Sequence, residues 1–179
     1  MARLPYVTPD NASEPVADAL RAMPAEVGIV HLIAHAETCL RPFLRLGQAI
    51  LTAQQLDPDL RELAILRTAQ LTGAEYQAVQ HERIGLLVGV TGQQIEAVRA
   101  GRVAGPEFTE GQERVLAFTT AVVAGDMDDA TFAGLDLPPR ETMELILAVG
   151  FYLMLGRVMN AVDVDPEPAA EVSIEELRR

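Results

Sequence analysis

Two side chains capable of proton chemistry lie on consecutive predicted helices. Glu62 belongs to the first helix and His81 to the second, and Thr72 and Gly73 form the predicted turn between them. An imidazole titrates near neutrality, with an unperturbed pKa of about 6.5, so His81 is suited to take and return a proton. A carboxylate beside it would orient the ring or act as a second base. His81 and Glu62 are therefore the candidate catalytic residues of an acid/base site.

The second helix places further polar groups near His81. Positions 74, 77 and 81 share one helical face, at spacings of three and four residues, and here they are Ala74, Gln77 and His81. Gln77 can donate or accept a hydrogen bond, but it cannot act as a base. We expect Tyr76, Gln77 and Gln80 to line a substrate pocket. The alternative for Tyr76 and Gln80 is a position facing solvent.

Each of these candidates also has a structural interpretation. His81 can join two helices by hydrogen bonds, and Glu62 can pair with Arg61 or Arg67. Arg157 has a guanidinium fork that fits a substrate carboxylate, so we include it among the substrate-binding residues. The alternative for Arg157 is a structural or solvent-facing cation.

Composition excludes several classes of chemistry. All 14 basic residues are Arg, which excludes a lysine Schiff base, covalent pyridoxal phosphate and a P-loop lysine. His31 and His35 have metal-ligand spacing, but no third ligand completes the pattern, so we expect no metal and no cofactor. Cys39 is the single cysteine and cannot form an internal disulfide. The net charge of −12 argues against nucleic acid as a partner.

No targeting or membrane segment is predicted. The N-terminus lacks the apolar stretch of a signal peptide. The longest apolar run, residues 145–156, is too short to cross a bilayer, which takes about 20 residues. We therefore expect a cytoplasmic protein that acts on a small-molecule substrate and does not enter a membrane.

Helical periodicity runs through most of the chain, and strand signals are nearly absent. It predicts an all-α fold in a single domain, residues 1–179, with an N-terminal arm at 1–12 and an acidic tail at 163–179. Ser13, Thr91 and Thr109 are predicted N-caps, with Glu113 close to a capping-box position. The predicted helices are 13–23, 27–37, 42–54, 57–69, 74–87, 91–100, 109–124, 128–134 and 140–162, with a last helical turn at 174–178.

The central motif resembles that of the carboxymuconolactone decarboxylase and alkylhydroperoxidase D superfamily. Flanking segments are also similar to the family, namely 32–47, 85–101 and the Phe-Tyr-x-x-x-x-Arg-x-x-Asn helix that begins at Phe151. The resemblance covers residues 30–165. It implies an alkylhydroperoxidase D-like bundle of about seven to nine helices, a count that the helical periodicity also supports.

The branches of this family differ in chemistry. The peroxidase branch has Glu, eleven residues, and then Cys-x-x-Cys-x-x-x-His, whose cysteine positions are Ala74 and Gln77 in this chain. The resemblance therefore implies a member without the redox thiols. In the decarboxylase branch the second helix has Glu-x-x-x-His, where this chain has Gln77-x-x-x-His81. That branch implies proton transfer at carbon beside a lactone.

Three hypotheses follow from the residues and the resemblance. The first is a cysteine-independent enzyme with lyase or isomerase-type proton chemistry on a small acidic or lactone substrate. The second is a non-catalytic helical oligomer that binds a hydrophobic small molecule or a partner. The third, an alkylhydroperoxidase-type antioxidant protein, is disfavoured by the missing thiols. The apolar last helix and the resemblance imply a homo-oligomer, a trimer or a hexamer.

Overall fold

The computed structural model describes residues 1–23 and 27–166. Within those ranges the chain forms nine α-helices and no β-strand, which confirms the all-α fold. The predicted turn at 174–178 and the tail from residue 167 lie outside the described residues. The helices are α1 (Glu14–Arg21), α2 (Gly28–Ile33), α3 (Glu37–Thr52), α4 (Pro58–Thr72), α5 (Glu75–Val88), α6 (Gly92–Arg99), α7 (Glu110–Ala124), α8 (Asp129–Gly134) and α9 (Pro139–Val162).

The chain divides into two compact units. The first contains residues 1–53 and 158–179, and the second contains residues 54–157. Helices α1, α2 and α3 belong to the first unit, and helices α4 to α8 with most of α9 belong to the second. The single-domain assignment stays a prediction.

The first unit departs most from the predicted helix boundaries. Helix α3 begins at Glu37, so Pro42 lies inside it and not at its start. A proline there removes the hydrogen bond to the carbonyl of Thr38. Both residues are exposed, so water can satisfy that carbonyl. Ser13 precedes α1, but its hydroxyl makes no capping bond and instead donates to Glu37 Oε2 at 2.7 Å.

The N-caps of the second unit follow the sequence closely. Thr91 and Thr109 each accept a hydrogen bond from a backbone N–H group of the first turn, in complete capping boxes. The partner of Thr109 is Gln112, and the prediction of Glu113 was one residue late. The predicted turn after α4 is confirmed, because Gly73 ends that helix with φ at +64°, where glycine has no steric penalty.

Helix α4 is the central helix of the second unit. Every residue from 61 to 69 is buried, so the helix is covered on all sides. One apolar cluster joins it to α6 and α7, and another joins it to α7 and α9. The first cluster includes Leu63, Leu66, Ile95, Val98 and Leu116, and the second includes Ala64, Phe118, Leu145 and Val149. Because α4 has no solvent-facing side, its charged side chains must be satisfied inside the protein.

Helix α9 is longer than its apolar run suggested. Its 24 residues make it long and apolar enough to cross a membrane by length and composition, although 44% of that window is buried. A buried core helix passes the same test, so membrane exclusion stays a prediction. The helix is not fully enclosed by its own chain. A strip of Met143, Leu147, Gly150 and Met154 is exposed along it.

Two glycines of α9 provide a matched test of its packing. A Cβ at Gly156 would lie 3.1 Å from Ala74 Cβ and from Thr72 Oγ1, whereas a Cβ at Gly150 would meet nothing within 4 Å. Alanine improves helix propensity equally at both sites. We therefore expect Gly156→Ala to be less stable than Gly150→Ala by about 1–3 kcal/mol, the usual cost of overpacking. Urea unfolding of the two variants measures this difference. Equal free energies of unfolding would contradict the close approach.

Candidate active site

The structure brings Glu62 and His81 into direct contact inside the second unit. The Nδ1 atom of His81 lies 2.7 Å from Glu62 Oε2. Because a carboxylate only accepts hydrogen bonds, a neutral His81 ring in this contact has its proton on Nδ1 and its lone pair on Nε2. Nε2 makes no hydrogen bond with the part of the chain that the structure describes. The arrangement is a buried imidazole whose orientation is fixed by a carboxylate.

The carboxylate of Glu62 is compensated from both of its oxygens. Its side chain is 0% exposed, and Arg61 Nε donates to Oε1 at 3.0 Å. If this buried carboxylate had no partner, its desolvation would destabilise the folded state by roughly several kcal/mol. Hydrogen bonds from the Arg61 guanidinium and the His81 ring therefore stabilise the negative charge of Glu62 inside the protein.

A tyrosine from α9 covers the histidine. The rings of Tyr152 and His81 meet edge to face, with centroids 4.6 Å apart and an angle of 83° between their planes. Phe151 makes a similar contact with Tyr152 at 5.3 Å. Burial raises the pKa of the Tyr152 phenol well above its ordinary value, the Glu62 charge raises it further, and the Arg61 charge lowers it. Tyr152 therefore remains a neutral hydrogen-bond donor at working pH.

Gln77 lies one turn before His81 and is almost fully buried. Its Nε2 atom donates a long bond of 3.4 Å to the carbonyl of Ile65, and its Oε1 atom has no partner. Gly156 lies close to this oxygen. A Cβ at position 156 would be only 3.3 Å from Gln77 Oε1, so the glycine leaves space for the Gln77 side chain. A buried acceptor without a partner is a point where a ligand or water can donate.

The other predicted substrate-binding residues are Tyr76, Gln80 and Arg157. Tyr76 and Gln80 are half-buried on α5. Arg157 is exposed and makes no ion pair with a described residue. The structure therefore joins Glu62, His81 and, one turn away, Gln77, and it leaves Arg157 facing outward.

Arg61 and Tyr152 contact the Glu62–His81 pair and were not among the predicted site residues. Arg61 was considered only as a structural partner of Glu62, and no role was predicted for Tyr152. The available signal for Arg61 was its place beside Glu62, directly before the apolar residues 63–66. For Tyr152, no local signal indicates that α9 passes over His81.

The remaining reactive side chains lie elsewhere. Cys39 is exposed on α3 in the first unit. His31 Nδ1 and His35 Nε2 each lie 2.7 Å from a backbone carbonyl, those of Val7 and Pro5. Residues 1–23 and 27–166 contain no group of three or more metal-ligating side chains. The expected absence of a metal and of a cofactor stays a prediction.

Comparison with known proteins agrees with the fold. Residues 38–122 match the Carboxymuconolactone decarboxylase family. The alkylhydroperoxidase AhpD core structure of a peroxidase-related protein from Ralstonia eutropha JMP134 superposes with a TM-score of 0.78, at 16% identity over 93% of this chain and 92% of that one. The debrominase Bmp8, in complex with 2,3,4-tribromopyrrole, superposes with a TM-score of 0.72, at 17% identity over 92% of this chain and 90% of that one. No curated protein matches at a significant level.

A peroxidase-related protein from Silicibacter sp. TM1040 also superposes, with a TM-score of 0.72 at 18% identity over 86% of this chain and 83% of that one. These likenesses establish the alkylhydroperoxidase D-like fold. The segment 38–122 that matches the Carboxymuconolactone decarboxylase family lies within this fold. The chain has no Cys-x-x-Cys motif, since Cys39 is its one cysteine.

The buried phenol of Tyr152 predicts a specific alkaline loss of stability. An unfolded tyrosine ionises near pH 10, whereas the folded Tyr152 keeps its proton, so unfolding releases one proton above about pH 10. The free energy of unfolding should then fall by up to about 1.4 kcal/mol per pH unit from this group. With no lysine in the chain, few other groups titrate there.

Tyr152→Phe should remove this component of the alkaline slope, as measured by urea unfolding between pH 9 and pH 11. The phenolate absorbance of the folded protein over the same interval should be the same in the variant as in the wild type. A Tyr152→Phe variant with an unchanged slope and a smaller phenolate signal would show that Tyr152 titrates normally.

Proposed function

We propose that this protein is a cysteine-independent enzyme that transfers a proton to or from carbon in a small acidic or lactone substrate. His81 is the acid/base and Glu62 orients it. The observation that supports this most directly is the buried 2.7 Å contact between His81 Nδ1 and Glu62 Oε2, which orients the ring and leaves Nε2 as the nitrogen that can exchange a proton. The reaction type is that of a lyase or an isomerase.

The chemistry follows from the orientation of the ring. The lone pair of Nε2 takes a proton from the carbon beside a carbonyl, and the electrons of the C–H bond move onto the carbonyl oxygen as an enolate. The imidazolium that forms is stabilised by the Glu62 carboxylate. Return of the proton to another carbon completes an isomerisation. If a C–CO₂ bond breaks instead, CO₂ leaves, the electrons of that bond form the enolate, and His81, protonated at Nε2 from water beforehand, delivers that proton to carbon.

Further side chains of α5 and α9 are part of the proposal. Gln77 offers an unpaired carbonyl oxygen one turn from His81. Tyr76 and Gln80, half-buried on the same helix, form hydrogen-bonding walls of the substrate site. Arg157 was assigned to a substrate carboxylate, and its exposure limits it to a position at the edge of such a site.

The two rival functions are less well supported. A thiol peroxidase needs a thiolate next to the acid/base pair, whereas positions 74 and 77 are Ala and Gln, and Cys39 is on a different unit. A non-catalytic binding protein does not need a buried carboxylate that fixes one tautomer of a histidine. The debrominase Bmp8 shows that a protein of this fold binds a small ring compound.

Assembly and location complete the proposal. The exposed apolar strip of α9, formed by Met143, Leu147, Gly150 and Met154, favours a homo-oligomer, since apolar strips are usually covered in symmetric assemblies. The expected trimer or hexamer and the expected cytoplasmic location stay predictions.

Proton transfer at carbon can be tested before the natural substrate is known. We expect the wild-type protein to exchange the acidic C–H hydrogens of at least one compound from a set of lactone carboxylic acids dissolved in D₂O. His81→Gln should lower that exchange by about 10²–10⁴-fold, the usual contribution of a positioned acid/base group. Loss of the substrate C–H signal in proton NMR measures the rate.

His35→Gln is the matched control, because His35 is exposed and bonds only the Pro5 carbonyl. It should exchange at the wild-type rate. A folded His81→Gln variant that still exchanges normally would exclude the acid/base role. Dithiol-dependent peroxide turnover that Cys39→Ser abolishes would instead support the peroxidase hypothesis.

A further inference from the structure

A cavity of about 260 Å³ lies between α4, α5 and α6 of the second unit. On α5 its walls include Ala74, Ala78 and Glu82, which follow one another at spacings of four residues and so share one flank of the helix. Gln77 and His81 do not line it. Pockets for drug-sized ligands measure about 300–1,000 Å³, so this cavity fits a smaller molecule.

The floor of the cavity is apolar. Ala69 and Ala78 leave the space between α4 and α5, and Leu66, Ile95 and Val98 close it from α4 and α6. All five side chains are buried. None of them offers a hydrogen bond, so this floor is suited to an apolar group.

Charged side chains lie at the opening. Arg99 of α6 donates through Nη2 to Glu75 Oε1 at 3.2 Å, and its Nε donates to Glu82 Oε1. These side chains are 40%, 72% and 23% exposed, in contrast to the buried floor. The second oxygen of each carboxylate accepts no hydrogen bond from a described residue. Two carboxylates and one guanidinium leave the opening with one uncompensated negative charge.

The charges at the opening favour a cation. The hydrogen bond to Glu82 is the main cause that raises the pKa of Arg99 above its ordinary value, while burial opposes it. Arg67, which donates to Gln70 Oε1 at 2.7 Å behind the cavity wall, is not one of the lining residues. An anion at the opening would be repelled by both carboxylates, whereas a cation would find two open acceptor oxygens.

We propose that this cavity binds a small organic ammonium ion, with its apolar body on the floor and its ammonium group on the open oxygens of Glu75 and Glu82. Arg99 holds the two carboxylates in place, and its own positive charge opposes that of the ligand. The chain has no lysine, so a second copy cannot supply the ammonium group from a lysine side chain. The site is separate from the Glu62–His81 pair and does not depend on the proposed function.

Benzylamine and benzyl alcohol test the proposal directly. The two compounds are closely matched in shape, and benzylamine is a cation at neutral pH. Isothermal titration calorimetry should show that benzylamine binds at least about tenfold more tightly than benzyl alcohol, because charge-assisted hydrogen bonds are stronger than neutral ones. Equal affinities, or no binding of benzylamine, would overturn the proposal.

Two charge variants should change this affinity in opposite directions. Glu82→Gln removes an acceptor charge and should weaken benzylamine binding by roughly tenfold. Arg99→Gln removes the opposing cation and should strengthen it by roughly threefold, whereas a merely structural role of Arg99 would give weaker binding. Both variants should bind benzyl alcohol like the wild type. Glu110→Gln, at an exposed glutamate of α7, is the matched control and should change neither affinity. Weaker benzylamine binding by Arg99→Gln, or unchanged binding by Glu82→Gln, would contradict the assignment.

A larger side chain at Ala78 locates the apolar body of the ligand. Ala78→Leu should fill the cavity and abolish binding of both compounds, whereas Ala124→Leu, at the exposed end of α7, should not. If Ala78→Leu does not fold, methyl NMR of the wild type gives the same information. Benzylamine should then shift the methyl signals of Ala69 and Ala78 and not that of Ala124. Normal binding by a folded Ala78→Leu variant, or unshifted Ala69 and Ala78 signals, would place the ligand elsewhere and overturn the proposal.

Discussion

The burial of a carboxylate on a helix with no solvent-facing side is the constraint on which this site depends. Residues 61–69 of α4 are all buried, so the charge of Glu62 cannot reach water. It must be compensated by neighbours, and the fold supplies Arg61 from the same helix and His81 from α5. Compensation of this charge is also what fixes the histidine tautomer, so one interaction serves both stability and chemistry.

Close approach of three helices makes that compensation geometrically possible. A Cβ on Gly85 would lie 3.8 Å from Glu62 Cβ, and one on Gly156 would crowd Gln77. Small residues on α5 and α9 thus bring backbone close to the site, where bulkier residues would push the helices apart. Tyr152, one turn before Gly156, then covers the imidazole. Side-chain volume in these helices controls the exposure of the histidine.

The sequence predicted the parts of this arrangement that depend on local chemistry. Thr91, Thr109 and Gly73 mark helix ends through backbone hydrogen bonds and a left-handed residue, and these signals are read over a few positions. The candidate pair of Glu62 and His81 followed from the family motif. The structure places the two in contact, and their catalytic role remains a proposal.

What the sequence could not predict depends on distant contacts. Ser13 is the N-cap residue of α1 as predicted, but its hydroxyl donates to Glu37 and makes no capping bond, because a carboxylate that is remote in sequence lies within its reach. Pro42 is tolerated inside α3 because its neighbourhood is exposed. The contact of Tyr152 with His81 was not predicted, since nothing local to α9 indicates that His81 lies against it.

The central claim is that Glu62 holds His81 in the Nδ1–H tautomer, and nitrogen NMR of the histidine rings tests it most directly. In the neutral form, His81 should show a protonated Nδ1 and an unprotonated Nε2. His35 is an internal reference for the opposite tautomer, because its Nε2 must have the proton to donate to the Pro5 carbonyl. In Glu62→Gln the His81 preference should weaken. A neutral His81 protonated on Nε2, or averaged between tautomers as in a free imidazole, would contradict the account.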